Sequence, residues 1–197
     1  MPVRPIAVLD ACVLVPPGLR DLLLSCADRA VFRPIWQSEL EDELRRNGAR
    51  LVEKKGRSAD EANQAMAHLL TEMNSAFPDA RLGDGVWQHL VPGMTNHPKD
   101  RHVLAAAVAA SATHVVTLNL RDFPVRSRPP GIEVLSPDAF LIQQLERDQA
   151  RVLEAVNTMA RRHRRPPQSS SAIATVLIGG RSVPRFGAQL LRVLGES

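Results

Sequence analysis

The chain has 197 residues, with 25 Lys/Arg against 21 Asp/Glu, enough for one ordinary domain with some excess and a substantial buried core. No run approaches the roughly 20 apolar residues of a bilayer-spanning helix, and the start Met-Pro-Val-Arg-Pro-Ile has no signal-peptide core, so neither a membrane protein nor an exported one is expected. Cys12 and Cys26 are too few for a disulfide framework and lack CxxC spacing, which suits a reducing cytoplasm.

A first strand is expected at about residues 4–9, where Ile6-Ala7-Val8-Leu9 runs directly onto Asp10. Pro16-Pro17 then opens an amphipathic helix through Leu19, Leu22, Leu23 and Cys26. A short apolar piece, Ala30 to Pro34, precedes a helix from about Gln37 to Asn47, with Gly48 expected to stop it. On that helix Glu39 and Glu43 are spaced i,i+4 and share a face beside the Leu40 and Leu44 stripe, leaving Glu41 and Asp42 turned toward water. Residues 58–76 suit another helix, capped by Ser58 or Asp60, with Ala62, Met66, Leu69, Leu70 and Met73 buried and Pro78 ending it. Ala80 to Leu82 fits a short strand, and Trp87 to Leu90 fits either state.

The polar, turn-forming Asn96-His97-Pro98-Lys99-Asp100 leads into a helix marked by Val103, Leu104, Ala107 and Val108. Thr113 to Leu118 is a β-rich run ending on Asn119, and Ile132 to Leu135 is another. Ser136-Pro137-Asp138 starts one long helix through Leu141, Leu145, Val152, Val156 and Met159; residues 164–171 read as a linker, and 172–178 and 183–194 as short helices. Strands alternating with helices imply an α/β fold, a three-layer sandwich with a central parallel sheet, over residues 1–142, followed by a helical C-terminal extension over 143–197.

In such a sheet the loops after the strands form the ligand crevice. Asp10, Asp100 and the Asn119/Asp122 pair all fall beside strand or helix boundaries, and Glu43 can reach the same edge. Taken singly, each has an ordinary use: Asp10 can cap a turn, Asp100 a helix, and Glu43 can be one charge on a wet face. Gathered together, carboxylates repel one another unless a cation neutralises them, and oxygen-only ligands suit Mg²⁺ or Mn²⁺. Such a cluster can support phosphodiester cleavage by metal-activated water. Arg101 and His102 flank Asp100 and can touch a phosphate, although packing is the commoner fate of such residues. No HExxH or HxH spacing supports zinc, Cys12 stands where a phosphoaspartyl hydrolase has a second aspartate, and there is no Walker loop or GxSxG elbow. Gly179-Gly180 reads as a turn.

The charge is unevenly placed. Residues 1–142 hold 16 Lys/Arg against 17 Asp/Glu, and residues 143–197 hold 9 against 4. Arg161, Arg162, Arg164 and Arg165 are therefore candidate RNA contacts, or else solvate a helix end.

Four stretches, Val8 to Leu14, Glu39 to Leu44, Lys99 to Ala107 and Thr117 to Pro124, resemble the motifs of PIN-domain ribonucleases, in particular the VapC-type toxins of bacterial toxin-antitoxin pairs. The resemblance covers about residues 5–142, and the C-terminal segment is more loosely similar to the extension of a longer subset of these toxins. It implies that Asp10, Glu43, Asp100 and Asp122 form an acidic quartet around Mg²⁺ or Mn²⁺. Asn119 would assist or replace Asp122, and Glu39 would be accessory. It further implies an RNA substrate, an antitoxin partner and a homodimer. Cys12 and Lys99 depart from the family, which often has Asn and an acid there. The alternative is a PIN-fold protein that binds RNA or a partner without cutting.

Overall fold

The computed structural model describes residues 4–162 and 169–195. Four strands, β1 (Ile6–Leu9), β2 (Arg33–Ile35), β3 (His114–Val116) and β4 (Glu133–Leu135), form a parallel sheet in the order β2-β1-β3-β4. Ala7, Val8 and Leu9 are consecutive and all fully buried, as are Val115 and Val116. Successive strand side chains point to opposite faces, so both faces of the sheet are covered. The expected strand at Ala80 to Leu82 is an isolated parallel bridge at the β2 edge: Trp36 donates to Ala80 O at 3.0 Å, and Leu82 donates to Trp36 O at 2.9 Å.

The helices among the described residues are α1 (Ala11–Leu14), α2 (Pro17–Asp28), α3 (Ser38–Glu53), α4 (Ala59–Ala76), α5 (Arg101–Ala109), α6 (Pro137–Arg147), α7 (Gln149–Arg162), α8 (Ser170–Gly179) and α9 (Pro184–Gly195). None is long and apolar enough to cross a membrane. Ser58 opens α4 with a reciprocal capping box to Glu61. Trp87 itself is buried just before a 3-10 turn over Gln88–Gly93.

Two expectations about helix ends fail for identifiable reasons. Gly48 does not stop α3, which continues to Glu53; a Cβ at Gly48 would collide with Met66 Sδ, so the glycine serves the close α3/α4 crossing. The long C-terminal helix is broken at Asp148, whose backbone leaves the helical region at φ −150°, ψ 71°. Its carboxylate then accepts the Arg151 N–H at 3.2 Å and restarts the chain as α7.

Among the described residues a main apolar core spans the sheet and the C-terminal helices, and a small second cluster of Ala49, Ala62 and Met66 lies between α3 and α4. Leu145, Val152, Val156, Phe186 and Leu190 belong to the same buried cluster as Val8, Leu22 and Leu104. Helix α9 approaches α8 most closely at Gly187, where a Cβ would lie 2.8 Å from Ile178 N and 3.0 Å from Ala174 O.

The chain moves from β1 to β2 on one side and reaches β3 on the other, so the strand order reverses between β1 and β3. A crevice at the carboxyl ends of those two strands follows from this reversal. Asp10 comes directly after β1 and Thr117 directly after β3, with Asp10 N donating to Val116 O at 3.1 Å and Thr117 N to Leu135 O at 3.0 Å.

Candidate metal centre

Asp10 is buried at this switch point, 3% exposed, yet its carboxylate is not left alone. Oδ2 accepts the Thr117 hydroxyl at 2.6 Å and the Cys12 thiol at 3.1 Å. Thr117 Oγ1 in turn accepts the Asn119 N–H at 3.0 Å, and Cys12 Sγ accepts the Leu118 N–H at 3.1 Å. The loop after β3 is thereby tied to the residue after β1. Burial first, then the Asp10 charge, pushes the Cys12 thiol up to about 12, so it stays a neutral donor.

Asp100 ends a 3-10 turn, Pro98–Asp100, and stands at the N-cap of α5 without capping it. The His97 N–H donates to Asp122 O at 3.1 Å, which fastens the loop carrying Asp100 to the loop carrying Asp122. Asp100 is held above its ordinary value of 3.8 by burial first, then by the charges of Asp10 and Asp122, with Glu43 adding to the effect and His102 opposing it. The carboxylates from β1, α3, α5 and the loop after β3 therefore share one electrostatic neighbourhood.

Of the two residues after β3, Asp122 is the one coupled to Asp100, whereas Asn119 is exposed and contributes backbone hydrogen bonds. Glu39 lies one turn before Glu43 on α3, half-buried, and its carboxylate accepts the Ser38 hydroxyl at 2.9 Å. Glu41 corrects the expected face. Rather than pointing to water it accepts Asn74 Nδ2 at 2.7 Å and Arg81 Nε at 3.0 Å, and Asn74 also takes the Trp36 indole N–H at 2.9 Å. This network joins α3, α4 and the sheet edge. Asp42 is exposed and pairs with Arg45 at 2.6 Å.

His102 is buried rather than open to solvent, and Arg101 donates to Asn96 O at 3.3 Å. Arg161 is exposed at the end of α7. Arg162 lies 3.8 Å from Asp21 and 3.9 Å from Asp28 on α2. Arg164 and Arg165 lie outside the described residues. Two contributors had no role assigned from sequence: Thr117, which stands inside a quoted motif, and Gln37, for which no local signal exists.

Among the described residues no three His, Cys, Asp or Glu side chains converge closely enough to enclose an ion. The candidate donors nonetheless suit a hard divalent cation: the charged ones are all carboxylates, and a cation would relieve the mutual repulsion that adds to burial in raising Asp100.

Residues 7–121 match the family model described as PIN domain. The chain belongs to the PIN-domain family. Beyond the PIN domain, residues 137–192 match the model described as VapC50 C-terminal domain. The chain is also similar to "Putative ribonuclease VapC50" of Mycobacterium tuberculosis, at 37% identity over 108 residues that cover 54% of this chain and 63% of that protein. No solved structure matches this PIN-domain chain significantly.

Proposed function

We propose that this PIN-domain protein is a Mg²⁺- or Mn²⁺-dependent endoribonuclease and the toxin of a toxin-antitoxin pair. The observation that carries the reading is the placement of Asp10 at the switch point of the sheet, with the loops bearing Asp100 and Asp122 tied to it and to each other through Thr117 and the His97 N–H; the raised Asp100 agrees with it. The name of the relative, a ribonuclease, agrees with it. Asp10, Glu43, Asp100 and Asp122 would hold the metal, with Asn119 as a neutral oxygen donor and Glu39 accessory. When bound, the ion supplies an activated water and stabilises the leaving oxygen of a phosphodiester.

The chain's own groups do the positioning. Thr117 and Cys12 both donate to Asp10 Oδ2, which fixes the orientation of the carboxylate that would help hold the ion. The 119–122 loop is held to Thr117 at one end and to His97 at the other, so Asp122 is presented from a closed turn. RNA is the substrate, with Arg161, Arg164 and Arg165 as candidate phosphate contacts; Arg162 joins them only by releasing Asp21 and Asp28. A cognate antitoxin, a homodimer and a cytoplasmic site of action complete the reading.

The test is cleavage of single-stranded RNA by purified protein supplied with Mg²⁺ or Mn²⁺. Asp10→Asn and Asp100→Asn are expected to abolish cutting with the melting transition retained, and EDTA is expected to do the same to the unaltered protein. Full activity in Asp10→Asn, or activity indifferent to EDTA, overturns the assignment. RNA binding without any cutting selects the non-catalytic alternative. A neighbouring gene for a small DNA-binding protein that neutralises this chain on co-expression tests the toxin role.

A further inference from the structure

Gln37 is fully buried at the N-cap of α3, and each end of its side-chain amide has a different partner. Oε1 accepts the Leu40 N–H at 2.9 Å. Nε2 therefore faces the other way, 2.7 Å from His102 Nδ1 and 3.4 Å from the His102 carbonyl oxygen. An amide nitrogen carries hydrogens and no lone pair to offer, so the Nδ1 it meets must be the bare acceptor nitrogen. In the neutral ring the proton then sits on Nε2.

That second nitrogen is buried and has no hydrogen-bond partner of good geometry among the described residues, but it lies 3.4 Å from Glu43 Oε1. The Trp87 ring, itself buried, stands edge-on to the imidazole with centroids 6.5 Å apart and shields the group. Glu43 sits on the same helix that Gln37 opens. One imidazole from α5 thus stands between the N-cap of α3 and its second turn.

We propose that Gln37 is a positioning residue: its capped amide locks His102 in the Nε2–H form, so that a donor rather than a bare nitrogen stands 3.4 Å from the Glu43 carboxylate at the rim of the acidic cluster. The proposal rests on the metal-centre reading for its purpose, and on the geometry alone for the lock. Outer groups that orient a ligand carboxylate in this way change metal affinity by about 10–100-fold when removed.

Imidazole ¹⁵N spectra of the full chain, metal-free, read the lock directly. The unaltered protein is expected to show His102 protonated on Nε2. Gln37→Glu keeps an acceptor for the Leu40 N–H but presents only an acceptor to the ring, so it is expected to move the proton to Nδ1. Gln37→Ser retains a good helix cap while withdrawing the amide from His102. It is expected to lose the tautomer bias and to weaken Mn²⁺ binding, measured by calorimetry, by about 10-fold.

Finding the neutral ring of His102 protonated on Nδ1 in the unaltered protein overturns the proposal without any variant. So does a Gln37→Ser protein with unchanged ring shifts and unchanged Mn²⁺ affinity. Failure of the unaltered protein to bind Mn²⁺ at all overturns the metal-centre reading instead, and the spectra still decide whether the lock exists.

Discussion

Ser58, Ser136 and Ser169 stand at the N-caps of α4, α6 and α8, and each side chain accepts a backbone N–H from the first turn it opens. Asp10 and Asp100 occupy the same position at α1 and α5, and neither side chain accepts a capping bond. Aspartate is as good a cap as serine. The difference is therefore one of use. Away from the crevice between β1 and β3 the polar residue at a helix start satisfies the backbone, even directly after β4 at Ser136. At that crevice it is withheld from the backbone and turned to other groups, at a cost of about 1 kcal/mol of helix stability each.

The largest expected effect separates the two residues after β3. Asp122→Asn should reduce metal-dependent RNA cleavage by about 100-fold or more, since it removes a charge from the coupled set. Asn119→Ala should change it only a few-fold. A steady-state assay decides, and the reverse ranking would move the fourth ligand to Asn119.

Thr117→Val tests how the withheld aspartate is supported. It preserves shape but strips the 2.6 Å donor from a buried carboxylate, which should cost about 1–3 kcal/mol in denaturant unfolding. No change in stability would show that Thr117 is a spectator. The capping side of the comparison is sharpened by Ser58→Ala, expected to cost about 1 kcal/mol with cleavage unaltered. If Asp100→Ala costs as much, Asp100 is a cap after all.

The smallest effect has a distinctive sign. Because Asp100 in the folded chain titrates above its ordinary value of 3.8, its ionisation works against folding. The stability tied to its protonated form is complete below 3.8 and is lost as pH rises through the raised value. In metal-free protein Asp100→Asn should therefore raise the melting temperature at pH 7, and the gain should vanish below about pH 3.8. A gain independent of pH would assign it to packing rather than charge.

Most of the architecture could be read from short-range pattern. The runs ending at Leu9 and Val116 are strands because consecutive apolar residues suit a sheet covered on both faces, whereas the edge strand ending at Leu135 alternates an exposed Glu133 with a buried Val134. Ser58 and Pro17 mark helix starts by local chemistry. Asp10, Asp100 and Asp122 stand out as candidates because they sit at such boundaries, and Glu43 because it is spaced i,i+4 from Glu39. What escaped depends on partners distant in the chain. Gly48 looks like a stop because glycine is flexible, yet it lies inside α3 where the Met66 side chain fills the space a Cβ would take. Glu41 looks solvent-facing on a helical wheel, but its partners come from Asn74 and Arg81. The apolar rhythm from Leu141 to Met159 passes through Asp148 unbroken, because periodicity counts residues and does not register a change of axis. Gln37 is recognisable only once His102 is beside it.

The Cys12 thiol bears on how the protein behaves toward electrophiles and oxidants. Thiol chemistry proceeds through the thiolate, and with its titration pushed to about 12, on the order of one Cys12 in 100,000 is in that form at neutral pH. Cys26, fully buried, is pushed equally high. A sulfur standing 3.1 Å from the first aspartate of the site is thus chemically quiet. The cysteine built into the wall of the carboxylate cluster serves there as a hydrogen-bond donor to Asp10, and treatment of the protein with an alkylating agent is expected to label Cys12 slowly at neutral pH.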